Sequence, residues 1–190
     1  MAADGARGLS HLKVDRKAQL PDGTTSFYFR TRESLLHAIA ARVAELDLAD
    51  LAEVTEGAAR GVLDEGVSML AKVTMTAADE PGLTRTRARS ELLLHASRDP
   101  GMADHLGKAI ATMTEMGRAL IVSMQPKGEP LDEALIDDQT FAVLSFINGV
   151  LLGFARGDHT VRTAEQLDRF VSGIVEGLAA QARSHARLPG

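Results

Sequence analysis

The chain has 190 residues, no cysteine, a hydrophobic content of 45 % and a net charge of −5. The lack of cysteine excludes a disulfide framework and a cysteine-based zinc site, and no stretch approaches the ~18 consecutive apolar residues of a membrane span. The N-terminus lacks the basic and apolar regions of a signal peptide, so we expect a cytoplasmic protein with no membrane partner.

The charge is unevenly distributed along the chain. Residues 1–32 carry six cations and three anions, a net of +3, which leaves −8 on the remainder of a chain whose total is −5. A basic N-terminal segment on an acidic body indicates that only this segment meets a polyanion.

The N-terminal segment has the signals of two short helices around a turn. Ser10 is a suitable N-cap for a helix over His11 to Ala18, and the sequence Leu-Pro-Asp-Gly at 20–23 predicts a turn. A second short helix is predicted from residue 22 or 23 to Tyr28. Thr31 can then cap a third helix, with apolar residues at helical spacing up to about residue 52. This layout is typical of a helix-turn-helix unit.

Five longer helices are predicted over residues 56–78, 83–98, 102–124, 131–156 and 163–187, separated by segments that contain the helix breakers proline and glycine. No sustained alternation of polar and apolar residues predicts a strand. The predicted fold class is therefore all-α, with an N-terminal helix-turn-helix head followed by a helical-bundle body.

The predicted second helix begins with the small residues Gly-Thr-Thr-Ser at 23–26. In a helix-turn-helix unit, the N-terminal residues of the second helix meet base edges in the major groove. Tyr28 and Arg32 follow at positions suited to phosphate contacts. Tyr28 could instead be a half-buried core residue. Similarly, the role of Arg32 could be limited to a weak surface ion pair with Glu33 or Glu45.

The stretch AQLPDGTTSFYFRTRESLLHAI, residues 18–39, resembles the DNA-reading signature of the TetR family of bacterial transcriptional regulators. The segments GARGLSHLKV, RSELLLHASRDPGM and FINGVLLGFARGD resemble further stretches of that family. The chain departs from the family pattern at Gln19, where relatives usually have Gly, and at Ser26, where many have an aromatic residue. It also departs at the front, where relatives have a full first helix, so we expect a shortened first helix here.

The resemblance implies a DNA-binding domain over residues 1–46 and an effector-binding and dimerisation domain over 47–190. It implies backbone contacts near the start of the first short helix, a recognition helix, and phosphate contacts just after it. The DNA-binding residues implied in this way are Ser10, His11, Lys13, Gly23, Thr24, Thr25, Ser26, Phe27, Tyr28 and Arg32. Phe29 and Leu35 are expected in the core of the head.

The same resemblance implies a homodimer through the last two long helices and a small effector between the middle ones. Apolar stripes at helical spacing make the interface residues Leu144, Ile147, Leu151, Phe154, Phe170, Ile174 and Leu178, unless these stripes only bury against their own chain. The expected pocket residues are Met69, Val73, His95, Met113, Met116, Leu120 and Phe141. Methionine suits an adaptable apolar site, which favours an apolar or amphipathic effector, but it is also an ordinary core residue.

Together these features predict a homodimeric TetR-type transcriptional regulator, a repressor that binds a palindromic operator in double-stranded DNA and is released by a small-molecule effector. The alternative is a helical ligand-binding dimer that has lost DNA binding with its first helix. An enzyme is not expected, because the sequence has no phosphate-binding glycine loop, serine elbow or paired histidines. Glu91 and His95 are four residues apart, but the Glu-x-x-His repeat of di-iron bundles is absent. We therefore expect no catalytic residue, no cofactor and no metal.

Overall fold

The computed structural model describes Gly5, residues 8–59, 69–126, Gly128 and residues 130–185. The described residues form helices and contain no strand, which confirms the all-α prediction. The helices are α1 (His11–Lys17), α2 (Thr24–Tyr28), α3 (Arg32–Ala59), α4 (Met69–Thr76), α5 (Gly82–Ala96), α6 (Pro100–Ser123), α7 (Glu133–Ala155) and α8 (Ala164–His185).

Helix α3 is longer than the sequence predicted. It continues to Ala59 without a break, so the predicted helix over 56–78 was wrong at its start, and residues 60–68 lie outside the described part. The glycine at 57 does not end the helix, because a single glycine costs only about 1 kcal/mol in a helix interior. Helix α6 begins at Pro100 and not at residue 102, since the Asp99 side chain accepts a hydrogen bond from the Met102 N–H at 3.0 Å.

Two predicted helix starts are confirmed by their hydrogen bonds. The Lys13 N–H donates to Ser10 Oγ at 3.3 Å at the start of α1. Before α3, the Ser34 N–H donates to Thr31 Oγ1 at 3.0 Å, and the Thr31 N–H donates to Ser34 Oγ at 3.2 Å. This reciprocal pair satisfies two N–H groups that the first turn leaves without intrahelical partners.

The head and the body share one apolar core. Its buried members from the head and α3 contact buried members from α5 and α6, with Val14, Phe29 and Ile39 packed around them. The buried set is Leu9, Leu35, Leu36, Ala40, Val43, Leu92, Ala96, Met102 and Leu106. The expected core positions of Phe29 and Leu35 are confirmed. We name this set the junction core, because it holds α3 against the α5–α6 corner.

An ion-pair cluster fixes α3 against α5 beyond the junction core. Arg89 donates two hydrogen bonds to the Asp47 carboxylate, both at 2.6 Å. Arg85 lies 3.3 Å from the same carboxylate and also donates to Asp50. The Asp47 side chain is largely buried. The two-point geometry of an arginine and a carboxylate restrains direction as well as distance, so the axis of α3 is set relative to α5.

Helix α7 forms the centre of the body between α5, α6 and α8. The fully buried Gln139 joins three segments: its Nε2 donates to the Val175 carbonyl at 2.8 Å, and its Oε1 accepts from Gln125 at 3.0 Å. By length and composition α7 could also cross a membrane, and only 28 % of its most apolar window is buried within the chain. Its buried polar residues Gln139 and Thr140 belong to a helix packed in a protein core.

Gln19 should be a point of backbone strain that a glycine relieves. Its φ is 57°, the left-handed region, which costs a residue with a Cβ roughly 1–2 kcal/mol. We expect Gln19→Gly to raise the free energy of unfolding by about 0.5–1 kcal/mol in urea denaturation, after the entropy lost by glycine is subtracted. The control Lys17→Gly, in the last turn of α1, should lower it by about 1 kcal/mol. Equal destabilisation by both changes would contradict the strain at Gln19.

Candidate nucleic-acid interface

The carboxylate of Asp15 joins the two short helices of the head. Asp15 lies on α1 and is fully buried. Its Oδ2 accepts the Gly23 N–H at 2.8 Å, and its Oδ1 accepts the Thr25 N–H at 2.7 Å and the Thr25 hydroxyl. The first N–H groups of a helix have no partner within it, so a side chain of α1 supplies the cap that α2 itself lacks.

These contacts stabilise the ionised form of Asp15. The hydrogen bond from the Thr25 hydroxyl, followed by the N–H groups of Thr25 and Gly23, lowers the pKa of Asp15 below its ordinary value, against the opposing effect of burial. A carboxylate whose pKa is depressed by folding stabilises the fold above its unfolded pKa of about 3.9. This contribution is lost as the pH falls through the lower, folded pKa.

Backbone geometry and one histidine complete the turn. Gly23 precedes α2 with a φ of 99°, which favours a residue without a Cβ. The Leu20 N–H donates to the Asp15 carbonyl at 2.9 Å. His11 Nε2 lies 2.7 Å from the Phe29 carbonyl, so α1 is also joined to the segment after α2. The short helix α2 is therefore held at both ends by α1.

Helix α2 presents two exposed aromatic rings to solvent. Phe27 is 77 % exposed and Tyr28 is 73 % exposed, and their rings meet edge to face with centroids 5.3 Å apart. The exposure of Tyr28 rules out the alternative that it is a core residue. Ser26 is exposed beside them, and Thr24 is half-buried. Their hydroxyls donate to the Gly23 and Pro21 carbonyls, which leaves oxygen lone pairs for an incoming donor.

Two of the expected DNA-binding residues have structural roles. Thr25 is 5 % exposed and its hydroxyl donates to Asp15, so its side chain positions α2 and is not available as a surface contact. The His11 ring is half-buried against the Phe29 carbonyl. Ser10, Lys13, Gly23 and Arg32 are exposed, and Lys13 and Arg32 each also interact within the chain. These exposed residues lie on α1, on the turn and at the start of α3.

The structure separates the expected effector-pocket residues. Met69, Val73, Met113, Met116 and Leu120 are half-buried on α4 and α6. Phe141 is 76 % exposed on α7, so its ring does not lie in an enclosed pocket of the single chain. His95 lines a different cleft of about 420 Å³ beside the junction core. We name this the junction cleft; its lining is Arg32, Glu33, Leu36, His95, Arg98, Asp99 and Pro100.

The expected dimer-interface residues divide into two groups. Ile147 is 6 % exposed and Phe154 is 1 % exposed, so these two pack within their own chain, which was the alternative considered for the stripes. The remaining members are Leu144, Leu151, Phe170, Ile174 and Leu178, of which Phe170 is exposed and the others are half-buried. Ile147 and Phe154 are buried because the most apolar face of a helix packs against its own core. An interface through the other five residues stays a prediction.

Sequence reasoning missed two features of the described residues. One is a second apolar cleft of about 250 Å³ at the C-terminal end of α7, whose lining includes Phe146, Val150 and Val161. The other is a second pair with Glu-x-x-x-His spacing, Glu33 and His37, on the first turns of α3. The spacing alone could have found it, since residues four apart share one face of a helix.

No family model matches the sequence, and no curated protein matches it. The fold, in contrast, is similar to a solved structure. GusR of Salmonella enterica superposes with a TM-score of 0.63 and 22 % sequence identity, over 92 % of this chain and 88 % of that chain. At this identity the likeness shows the fold alone, which is the all-helical arrangement that this chain shares with GusR.

Replacing the Asp15 carboxylate should weaken the hold of α1 on α2. Asp15→Asn places an amide NH₂ against one of the two backbone N–H donors, so α2 should loosen and the thermal midpoint should fall by several degrees. The Gly23 and Thr25 amides should exchange with deuterium faster. The control is Asp22→Asn, an exposed residue 3.8 Å from Arg16, which should change neither quantity.

Lowering the pH should reproduce this effect in the unmodified chain. The two amides should lose protection as the pH falls through the lowered pKa of folded Asp15, because the carboxylate then becomes protonated. In Asp15→Asn the protection of these amides should be independent of pH over the same range. Equal pH dependence in both proteins would contradict the role of the Asp15 carboxylate.

Proposed function

We propose that this chain is a homodimeric transcriptional regulator of the TetR type. It reads a palindromic operator in double-stranded DNA, and it acts as a repressor that a small apolar or amphipathic molecule releases. The observation that carries the proposal is the exposed face of α2, with two aromatic rings and small hydroxyl residues held in place by a buried carboxylate. A cytoplasmic location and the absence of catalysis follow from the same function.

The proposed contacts with DNA follow from exposure and chemistry. Ser26 and Thr24 offer hydroxyls to base edges or phosphates, and the Phe27 ring offers an apolar surface to a thymine methyl or a sugar. Tyr28 offers a phenol donor to a phosphate. The cations Lys13 and Arg32 lie on the elements before and after α2, where they can neutralise phosphates on either side of the groove.

The proposed dimer uses the exposed faces of α7 and α8. Phe141 and Leu152 are exposed on α7, and Phe170 is exposed on α8. The Phe170 ring packs edge to face on that of Phe146 of α7, with ring centroids 5.9 Å apart. Gly149 on α7 and the glycines at 173 and 177 on α8 have open space where a Cβ would lie. A large apolar surface interrupted by small residues is suited to a close helix–helix contact with a second copy.

The proposed regulation passes through α3. This helix begins next to the recognition helix, enters the junction core, and is clamped to α5 by Asp47 and Arg89. An effector that preferred a different packing of the middle helices would therefore change the separation of the two heads of a dimer. Its effect on operator affinity is limited by its differential affinity for the two arrangements, typically about 1–3 kcal/mol.

Selection from a random duplex pool at two salt concentrations tests DNA reading. We expect a palindromic site, with affinity that falls steeply with salt as phosphate contacts release counterions. Phe27→Ala should lower affinity for the recovered site about tenfold or more, because each half-site loses an apolar contact. The control is Leu94→Ala, a similarly exposed residue on α5, which should leave affinity unchanged. A folded dimer that enriches no sequence would contradict DNA reading and favour the ligand-binding alternative.

The oligomeric state tests the proposed interface independently. Leu152→Glu places a charge in the apolar face of α7 and should convert the dimer to a monomer in sedimentation equilibrium. The control is Leu94→Glu, an exposed leucine on α5, which should remain dimeric. A Leu152→Glu chain that stays dimeric at micromolar concentration would place the interface elsewhere.

A further inference from the structure

Three potential metal ligands meet beside the junction cleft, and two of them, Glu33 and Asp99, line it. One ligand atom each from Glu33, His37 and Asp99 lies within 4.8 Å of the other two. Glu33 and His37 are on the first turns of α3, and Asp99 precedes α6, so the group joins the element that follows the recognition helix to the α5–α6 corner. Glu33 is exposed and the other two are partly buried, which leaves the group accessible to an ion from solvent.

The positions of the two inner donors are well defined. His37 Nε2 lies 2.7 Å from Asp99 Oδ2, while Asp99 Oδ1 accepts the Met102 N–H at 3.0 Å. One carboxylate oxygen is thus fixed by the helix cap and the other is directed to the imidazole. A Cβ on Gly101 would lie 3.3 Å from Cε1 of His37, so this glycine gives the imidazole ring its space. The Met102 N–H bond is of the kind that orients a metal-ligating carboxylate in proteins, whereas the His37–Asp99 hydrogen bond would be replaced by bonds from both groups to the ion.

We propose that Glu33, His37 and Asp99 bind a first-row divalent transition-metal ion such as Zn²⁺. One imidazole and two carboxylates suit such an ion, and two carboxylates balance its charge. The donors of a tetrahedral zinc site lie roughly 3.3 Å apart, a spacing that small side-chain rotations reach from the present positions. The junction cleft, about 420 Å³, leaves room for water or a further ligand at the fourth position.

Other charged groups face the same cleft. His95 of α5 lines it and offers a second imidazole. The positive charges of Arg32 and Arg98, in contrast, repel a cation that the carboxylates do not coordinate. The binding free energy must therefore come from direct coordination and not from the general field of the cleft. This requirement makes the site selective for ions that take an imidazole ligand, and it disfavours Mg²⁺ and Ca²⁺, which prefer all-oxygen sites.

An occupied site would tie α3 to the α5–α6 corner by bonds that the apo chain lacks. In the apo chain, one hydrogen bond between His37 and Asp99 supplements the junction core at this point. The metal would thereby favour one position of the head relative to the body. The consequence for operator affinity rests on the proposed function, whereas binding of the ion does not.

The binding test uses the full chain and Zn²⁺ in competition with a chromophoric chelator. We expect one ion per chain, with Glu33→Gln, His37→Gln and Asp99→Asn each weakening affinity about tenfold or more. Glu33→Gln changes an exposed residue, and Asp99→Asn keeps an oxygen for the Met102 N–H, so both should fold normally by circular dichroism. The controls are His105→Gln, an exposed histidine on α6, and Glu91→Gln, the partner of His95 in the other Glu-x-x-x-His pair. Binding that none of the three substitutions weakens, or no saturable binding, would overturn the site.

The regulatory step is measured separately on the selected operator. Affinity of the unmodified chain should differ by about fivefold or more between Zn²⁺ and a metal chelator, and Glu33→Gln should abolish this response. Specific zinc binding with identical operator affinity would overturn the regulatory step and leave the metal site standing. A chain that binds zinc through these residues but no DNA would overturn the proposed function alone.

Discussion

The buried carboxylate of Asp15 sets the geometry of the head. A five-residue helix such as α2 has too few internal hydrogen bonds to be stable alone, and its first N–H groups need external acceptors. Asp15 supplies these acceptors from α1, and the Thr25 hydroxyl is drawn inward by the same carboxylate. The outward side of α2, with Phe27 and Tyr28, is consequently defined by what its inward side must satisfy.

Helix α3 connects this small unit to the rest of the molecule. Its first turns close the head, its middle contributes to the junction core, and Asp47 fixes it to two arginines of α5. Interior packing transmits displacement because close-packed side chains have few alternative arrangements. The head is therefore mechanically part of the body. The junction cleft, which Asp99 lines, lies where the two meet, and His37 contacts Asp99 beside it.

Two groups of exposed apolar residues, on α2 and on α7 and α8, have surroundings of different chemistry. Around α2 the rings stand among hydroxyls and cations of a basic segment, whereas on α7 and α8 they stand beside glycines with open space. The first combination suits a polyanion with apolar groove edges, and the second suits another helix. This difference supports the proposal that α2 carries the DNA-reading face and that α7 and α8 carry the self-association face.

The sequence by itself determined the helical class, the helix-turn-helix layout and most helix limits. These features depend on interactions within a few residues: apolar spacing, the Ser10 and Thr31 caps, and proline or glycine at the turns. The tertiary structure alone decided which side of each helix is buried. It turned Thr25 inward, took Phe154 into the core and left Phe141 exposed. It also brought together Asp47 with Arg89 and His37 with Asp99, 42 and 62 residues apart. Local patterns cannot specify such pairs, because they arise only when separate helices pack against one another.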